Sequence, residues 1–125
     1  MKTLLDFLAV GAGSFLGGGA RYLAGRCLPV TSGGGFPWAT FAVNIAGCFI
    51  LGVVAGLAAR VDGFDPRLRL FLATGFCGGF TTFSTFADEN LALLRTGRPA
   101  AFALYALASL ALGLAAAYLG HRLAE

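Results

Sequence analysis

Between Gly75 and Phe86 the chain reads Gly-Phe-Cys-Gly-Gly-Phe-Thr-Thr-Phe-Ser-Thr-Phe, placing four hydroxyls and a glycine pair inside an uncharged run from Leu70 to Ala87. A run of that length is close to what a helix needs to cross a bilayer. Hydroxyls and paired glycines are not what a simple anchor carries. Gly78-Gly79 costs helix propensity, and the Thr81-Thr82 pair offers oxygens to the backbone, so the spacing predicts a membrane helix that breaks or unwinds at this point. Backbone outside a helix is tolerated at membrane depth only where protein or a wet cavity surrounds it. Its freed carbonyls could then hold a cation, and its freed N–H groups an anion. Past the break, about 100° per residue places Phe83 and Phe86 on one face and Thr81, Ser84 and Thr85 on another. The same residues also suit a packing interface in which Thr and Ser bond back to the preceding turn.

Few other polar groups share that depth. Asn44 is the one strongly polar residue of its apolar stretch; its amide could bind a neighbouring helix or present an N–H to an anion. Tyr105 and Ser109 stand one turn apart on one face, which Gly113 extends, and such a face is either a helix contact or part of a polar track. Arg21 would be costly facing lipid, so it is expected to snorkel to the interface or to line a wet vestibule. Asp88 and Glu89 fall just past the uncharged run, where exposure to solvent is expected.

The elements that must position these residues follow from composition. The chain has 125 residues, 58% of them hydrophobic and only 12% charged, against about a quarter charged in soluble domains. It reads as an all-α integral membrane protein, a single transmembrane domain over 1–125. Four helices are expected at about 4–28, 37–59, 66–95 and 100–121, the third divided by the break into two arms. Gly13 and Gly17 form a Gly-x-x-x-Gly packing face that Gly18 and Gly19 extend, and Gly52 and Gly56 form a second. Leu28 to Phe36, with Pro29, Thr31, Ser32 and three glycines, has loop composition. Arg60 to Arg69 is a short polar loop, and Arg95-Thr-Gly-Arg-Pro99 a tight turn. A basic start followed by an apolar run is also the shape of a signal peptide, but three further spans follow.

Several function classes fall away. The net charge of +3 is scattered between apolar runs, so no nucleic-acid partner is expected. Cys27, Cys48 and Cys77 make no Cys-x-x-Cys pair and His121 stands without partners, so neither a disulfide framework nor a side-chain metal site is expected. No nucleophile and base are paired at any recognisable spacing, so no enzymatic activity is expected.

Three stretches carry a family resemblance. Gly75 to Phe86 is similar to the third-helix signature of the Fluc (CrcB) fluoride channels. Gly17-Gly-Gly-Ala-Arg-Tyr22 resembles that family's Gly-Ala-x-x-Arg-Tyr segment, with Gly18 where Ala is usual. Val43-Asn-Ile-Ala-Gly-Cys-Phe-Ile-Leu-Gly52 resembles its Val-Asn-x-x-Gly-Ser-Phe-x-x-Gly segment, with Cys48 in the Ser place. The resemblance implies a passive fluoride-selective channel that exports cytosolic fluoride across a bacterial inner membrane and confers fluoride resistance. It implies an antiparallel, dual-topology homodimer with two fluoride pathways. Asn44, Phe83, Phe86, Ser84, Thr85, Tyr105 and Ser109 would line a pathway, and Arg21 its vestibule. It also implies a structural sodium ion at the dimer centre, held by the backbone carbonyls of Gly78 and Thr81 from each subunit. Gly113 stands where some members carry a further Ser.

Charge distribution agrees with dual insertion. Lys2, Arg60, Arg67, Arg69 and Arg122 make five basic residues on the side of both termini, against four on the other, Arg21, Arg26, Arg95 and Arg98. An excess of one gives little orientation by the positive-inside rule. The rival function is a proton-coupled small multidrug exporter of the same dual-topology, four-helix plan. That transporter needs a membrane-embedded carboxylate, and none lies between Phe7 and Arg60 or between Leu70 and Ala87.

Overall fold

A computed structural model describes residues 1–28 and 35–125. The loop expected around Pro29, Thr31 and Ser32 falls mostly on residues outside that set. Three long helices, α1 (Lys2–Cys27), α2 (Trp38–Arg60) and a last one at Pro99–Ala124, accompany a third span in two arms. The first arm, α3, covers 66–80, and the second, α4, is Phe83–Arg95; the last helix is therefore α5. All four spans, counting Pro66–Arg95 as one, are long and apolar enough to cross a membrane. A helix of 26 residues, the length of α1 and α5, rises about 39 Å, more than the ~30 Å hydrocarbon core.

Local signals explain where the third span begins. Asp65 caps α3 by accepting the Arg67 N–H at 3.1 Å, and Pro66 fills the first turn, where its missing N–H is no loss. Arg67 then reaches α1 through an ion pair with Asp6 at 2.9 Å. From Leu70 to Cys77 the helix is π-helical, a widened turn that proteins retain mostly at functional sites.

The helices pack in two pairs by close backbone approach. α1 lies on α3 through Gly13 and Gly17, where a Cβ would collide with the carbonyl oxygens of Phe71 and Phe76. α2 lies on α5 through Gly52 and Gly120, which abut the backbone of Ala117 and Phe49. Backbones this near gain dispersion and weak hydrogen bonding, the main driving forces where lipid removes the hydrophobic effect. The expected extension of the α1 face is limited to the Gly18 backbone, whose N would lie 3.0 Å from a Cβ on Gly79; a Cβ on Gly18 or Gly19 itself would meet nothing within 4 Å. The stripe turns away because a helix face repeats every three to four residues, and 18 and 19 fall off it. Gly17→Ala is accordingly expected to lower detergent-solubilised stability by about 1–3 kcal/mol through overpacking, and Gly19→Ala to leave it unchanged. Thermal melts of the two variants check this, and equal shifts would contradict it.

Candidate functional site

The site is built around the gap between α3 and α4. Gly78 to Phe80 remain helical, and the break falls at Thr81 and Thr82, whose backbone is extended at φ −90°, ψ 160° and φ −149°, ψ 114°. Of the two pairs that pointed to a break, the threonines form it and the glycines stay helical. Gly79 serves close approach instead, since a Cβ there would lie 2.7 Å from the Ser14 carbonyl of α1. The threonines make the break by supplying its hydrogen bonds. Thr81 ends α3 with both its N–H and its hydroxyl donated to the Cys77 carbonyl, at 3.0 and 2.8 Å. Thr82 opens α4 as its N-cap, accepting the Thr85 N–H at 3.2 Å and donating to the Thr85 hydroxyl at 3.0 Å.

Asn44 of α2 closes the gap from the side. Its amide nitrogen donates to the Thr82 carbonyl at 3.2 Å, and its oxygen accepts the Thr82 N–H at 2.7 Å. Both backbone polar groups of Thr82, which belong to the two peptides flanking it, are thus satisfied by one side chain at membrane depth, as buried backbone requires. Nδ2 carries two hydrogens, and one remains after the bond to Thr82.

From α1, the Arg21 Nε donates to the Gly79 carbonyl at 3.1 Å, and the Ser14 hydroxyl to the Gly75 carbonyl at 3.3 Å. Side chains therefore occupy the carbonyls of Gly75, Cys77, Gly79 and Thr82. Among the described residues no side chain takes the carbonyl of Gly78 or Thr81. The Thr82 N–H, which would have continued the helix onto Gly78, goes to Asn44.

The aromatic and hydroxyl faces separate as the helical angle predicts, with one exchange. Phe83 and Phe86 stand side by side with ring centroids 5.9 Å apart, Phe83 being 79% exposed. Ser84 and Thr85 join Thr82 on the hydroxyl side. Thr81 does not join them, because its hydroxyl turns back to Cys77. Sequence reasoning left Thr82 out of the site. Its signal was the N-cap pattern, a threonine immediately before the apolar start of a helix.

Tyr105 is wholly buried, with its ring 4.9 Å from Phe86. Its hydroxyl donates to Glu89 Oε1 at 2.8 Å, and Thr40 donates to Oε2 at 3.0 Å. The expectation that Glu89 is solvent-exposed is thereby corrected: Asp88 is exposed, but Glu89 is half-buried and held by two hydroxyls from α2 and α5. The signal was its position three and four residues beyond Phe86 and Thr85, on their face of α4. Glu89→Ala would leave the buried Tyr105 hydroxyl without its acceptor, a loss of about 1–3 kcal/mol. Melting should show that loss, and Glu89→Gln, which keeps one acceptor oxygen, should recover part of it; no loss with Ala would contradict the bond's importance.

Two cavities flank the break. The larger, about 560 Å³, has Asn44, Gly78, Thr81, Thr82, Phe83, Phe86 and Ser109 in its wall. Ser109 brings a buried hydroxyl oxygen with no hydrogen-bond partner among the described residues. The smaller, about 320 Å³, is walled by Arg21, Tyr22, Arg26, Thr40, Thr82 and Thr85. Thr82 belongs to both, so the two meet at the break. Of the candidate residues, Tyr105 lines neither cavity and Ser84 is exposed beside Thr82. The arrangement suits a small anion: neutral N–H and O–H donors, ring edges, and two arginines confined to one end. The carbonyls of Gly78 and Thr81 form a separate, hard-oxygen set.

Comparison with known proteins gives a consistent result. Residues 8–121 match a family model described as CrcB-like protein, Camphor Resistance (CrcB). A protein of Chlorobaculum tepidum named fluoride-specific ion channel FluC is 50% identical over 123 residues, 98% of this chain and 97% of the relative. Its namesake from Chlorobium phaeobacteroides strain BS1 is 48% identical over 118 residues, 94% of this chain and 91% of the relative. Fluoride-specific ion channel FluC 2 of Rhodococcus jostii is 50% identical over 119 residues, 95% and 98% of the two chains.

Proposed function

Because the chain belongs to the CrcB-like family, we propose that it is a passive, fluoride-selective channel of the bacterial inner membrane that lets cytosolic fluoride leave and so relieves its toxicity. The observation that carries this reading is the string of neutral donors around the break, matched by relatives named as fluoride-specific channels over nearly their full length. Those names also support a non-enzymatic role.

The difficulty for such a channel is dehydration. Stripping water from a small anion costs tens of kcal/mol in a low-dielectric surrounding unless other donors replace it. The smaller cavity would collect the anion beside Arg21 and Arg26, where their charge raises its local concentration. Thr82, Thr85 and Ser84 hydroxyls would then replace water, helped by the N-terminal end of α4, whose first-turn N–H groups carry partial positive charge. Beyond the break the spare Asn44 hydrogen, the Ser109 hydroxyl and the positive ring edges of Phe83 and Phe86 would continue the coordination. Tyr105, with its hydroxyl committed to Glu89, would act by positioning Phe86. A fixed cation deep in this path would hold the anion too firmly for rapid exit, and no Lys or Arg lines the larger cavity.

Four helices leave that cavity open at one side, and a second antiparallel copy would complete its wall. The near-balance of basic residues between the two ends supports such a dual-topology homodimer. The sodium ion implied by the resemblance fits the donor set. Gly78 and Thr81 keep hard carbonyl oxygens that no side chain among the described residues engages, while Arg21, Ser14, Thr81 and Asn44 take the neighbouring ones. When bound there, sodium would tie the two copies together. The multidrug exporter would have to use Glu89 as its proton-exchanging carboxylate, but that group lies against Tyr105 and Thr40, outside both cavities.

Expression in a fluoride-sensitive bacterium without its own fluoride exporter tests the physiological role. Growth in millimolar fluoride should be restored; unchanged sensitivity with the protein present in the membrane would contradict it.

A further inference from the structure

The wall of the larger cavity contains two groups that a fluoride path does not use. Cys48 of α2 and Cys77 of α3 open onto it beside Asn44 and Ser109. Cys77 is only 3% exposed, and Cys48 is half-buried. Cys48 projects toward α5 at Gly113, where a Cβ would stand 3.5 Å from its Sγ, so glycine leaves space around the sulfur. Cys27, the third thiol, is exposed at the end of α1 and lines neither described cavity.

A thiol is a weak hydrogen-bond donor and a poor partner for a hard anion such as fluoride or a hard cation such as sodium. One buried thiol is most simply a small packing group. Two sulfurs from separate helices, facing a common cavity large enough for a hydrated ion, form a soft-donor wall. Soft thiolate ligands select soft metal ions.

We propose that Cys48 and Cys77 make this cavity a binding site for thiophilic cations of the silver(I) type, and that capture of the cation obstructs the anion path. In each capture a silver–sulfur bond forms as the S–H bond gives its proton to water, with no change of oxidation state. The product is neutral, so the obstruction comes from the bulk of the metal beside Asn44 and Phe83. The binding stands on the cavity alone, whereas its effect on flux rests on the channel reading.

The test uses purified full-length protein carrying Cys27→Ser, treated with silver nitrate in chloride-free buffer. Silver retained after desalting is counted by elemental mass spectrometry, and fluoride efflux is followed from liposomes. Silver should be retained and efflux should fall to the rate of protein-free vesicles, with recovery on adding excess dithiothreitol. Adding Cys48→Ser or Cys77→Ala should lower the silver retained and raise the concentration needed to inhibit; adding both should remove retention and inhibition together. Should Cys77→Ala fail to assemble, Cys48→Ser carries the comparison. Equal retention in the thiol-free protein, or efflux untouched by silver in the Cys27→Ser protein, would overturn the proposal. If untreated vesicles carry no fluoride flux, the channel reading fails, and the silver count alone decides for or against the site.

Discussion

Asn44→Ala is expected to reduce fluoride efflux by about 30- to 150-fold, the scale set by losing two hydrogen bonds of about 1–1.5 kcal/mol each at the gate of the path. The side chain does two things at once. Its oxygen and one hydrogen hold the Thr82 backbone, and because Asn44 lines the larger cavity, its remaining hydrogen would serve there as a donor. Alanine leaves the Thr82 N–H and carbonyl without partners in apolar surroundings, so the backbone will rearrange to satisfy them. Asn44→Asp separates the two roles. A carboxylate can still accept from Thr82 N–H, but it offers no donor and repels the anion, so efflux should be lost with the break better preserved. If Asn44 were only a helix contact, both variants would alter melting and leave flux per folded protein intact.

Phe83→Ile is expected to cut efflux by about two- to tenfold, from losing a ring-edge interaction of about 0.5–1.5 kcal/mol. Isoleucine keeps an apolar side chain and lacks the quadrupole. Because Phe83 is 79% exposed within one chain, the change opens no cavity inside the subunit and should leave its melting temperature in place. Phe83→Tyr, which retains the ring edge, should keep most of the flux. Size-exclusion profiles in detergent, run beside the efflux assay, distinguish this from a purely assembly-related role. A Phe83→Ile protein that assembles normally and conducts at full rate would contradict the ring's place on the path.

What could be read in the sequence, and what could not, divides by physical cause. Span ends follow from hydropathy and from caps such as Asp65-Pro66, which act locally, so the four helices were legible to within a few residues. The existence of a break was legible from hydroxyls and glycines crowded at membrane depth. Its place was legible as the stretch from Gly78 to Thr82, but which of the two pairs opens was not, because Gly79 is required for contact with α1, a tertiary demand no local scale contains. Glu89 was misjudged for a related reason. Its distance from the uncharged run suggested solvent, but its partners Thr40 and Tyr105 come from elements 49 and 16 residues away in sequence. Arg21 was legible as a residue that must avoid lipid by snorkelling or by lining a wet vestibule, though its bond to the Gly79 carbonyl was not.

The most direct test of the central claim is fluoride efflux from liposomes containing the purified protein, followed with a fluoride electrode and with chloride as the control anion. Fluoride should leave rapidly with chloride retained, and that efflux should be lost in Asn44→Asp while the protein stays assembled. A well-folded protein that passes no fluoride, or passes chloride equally well, would contradict it.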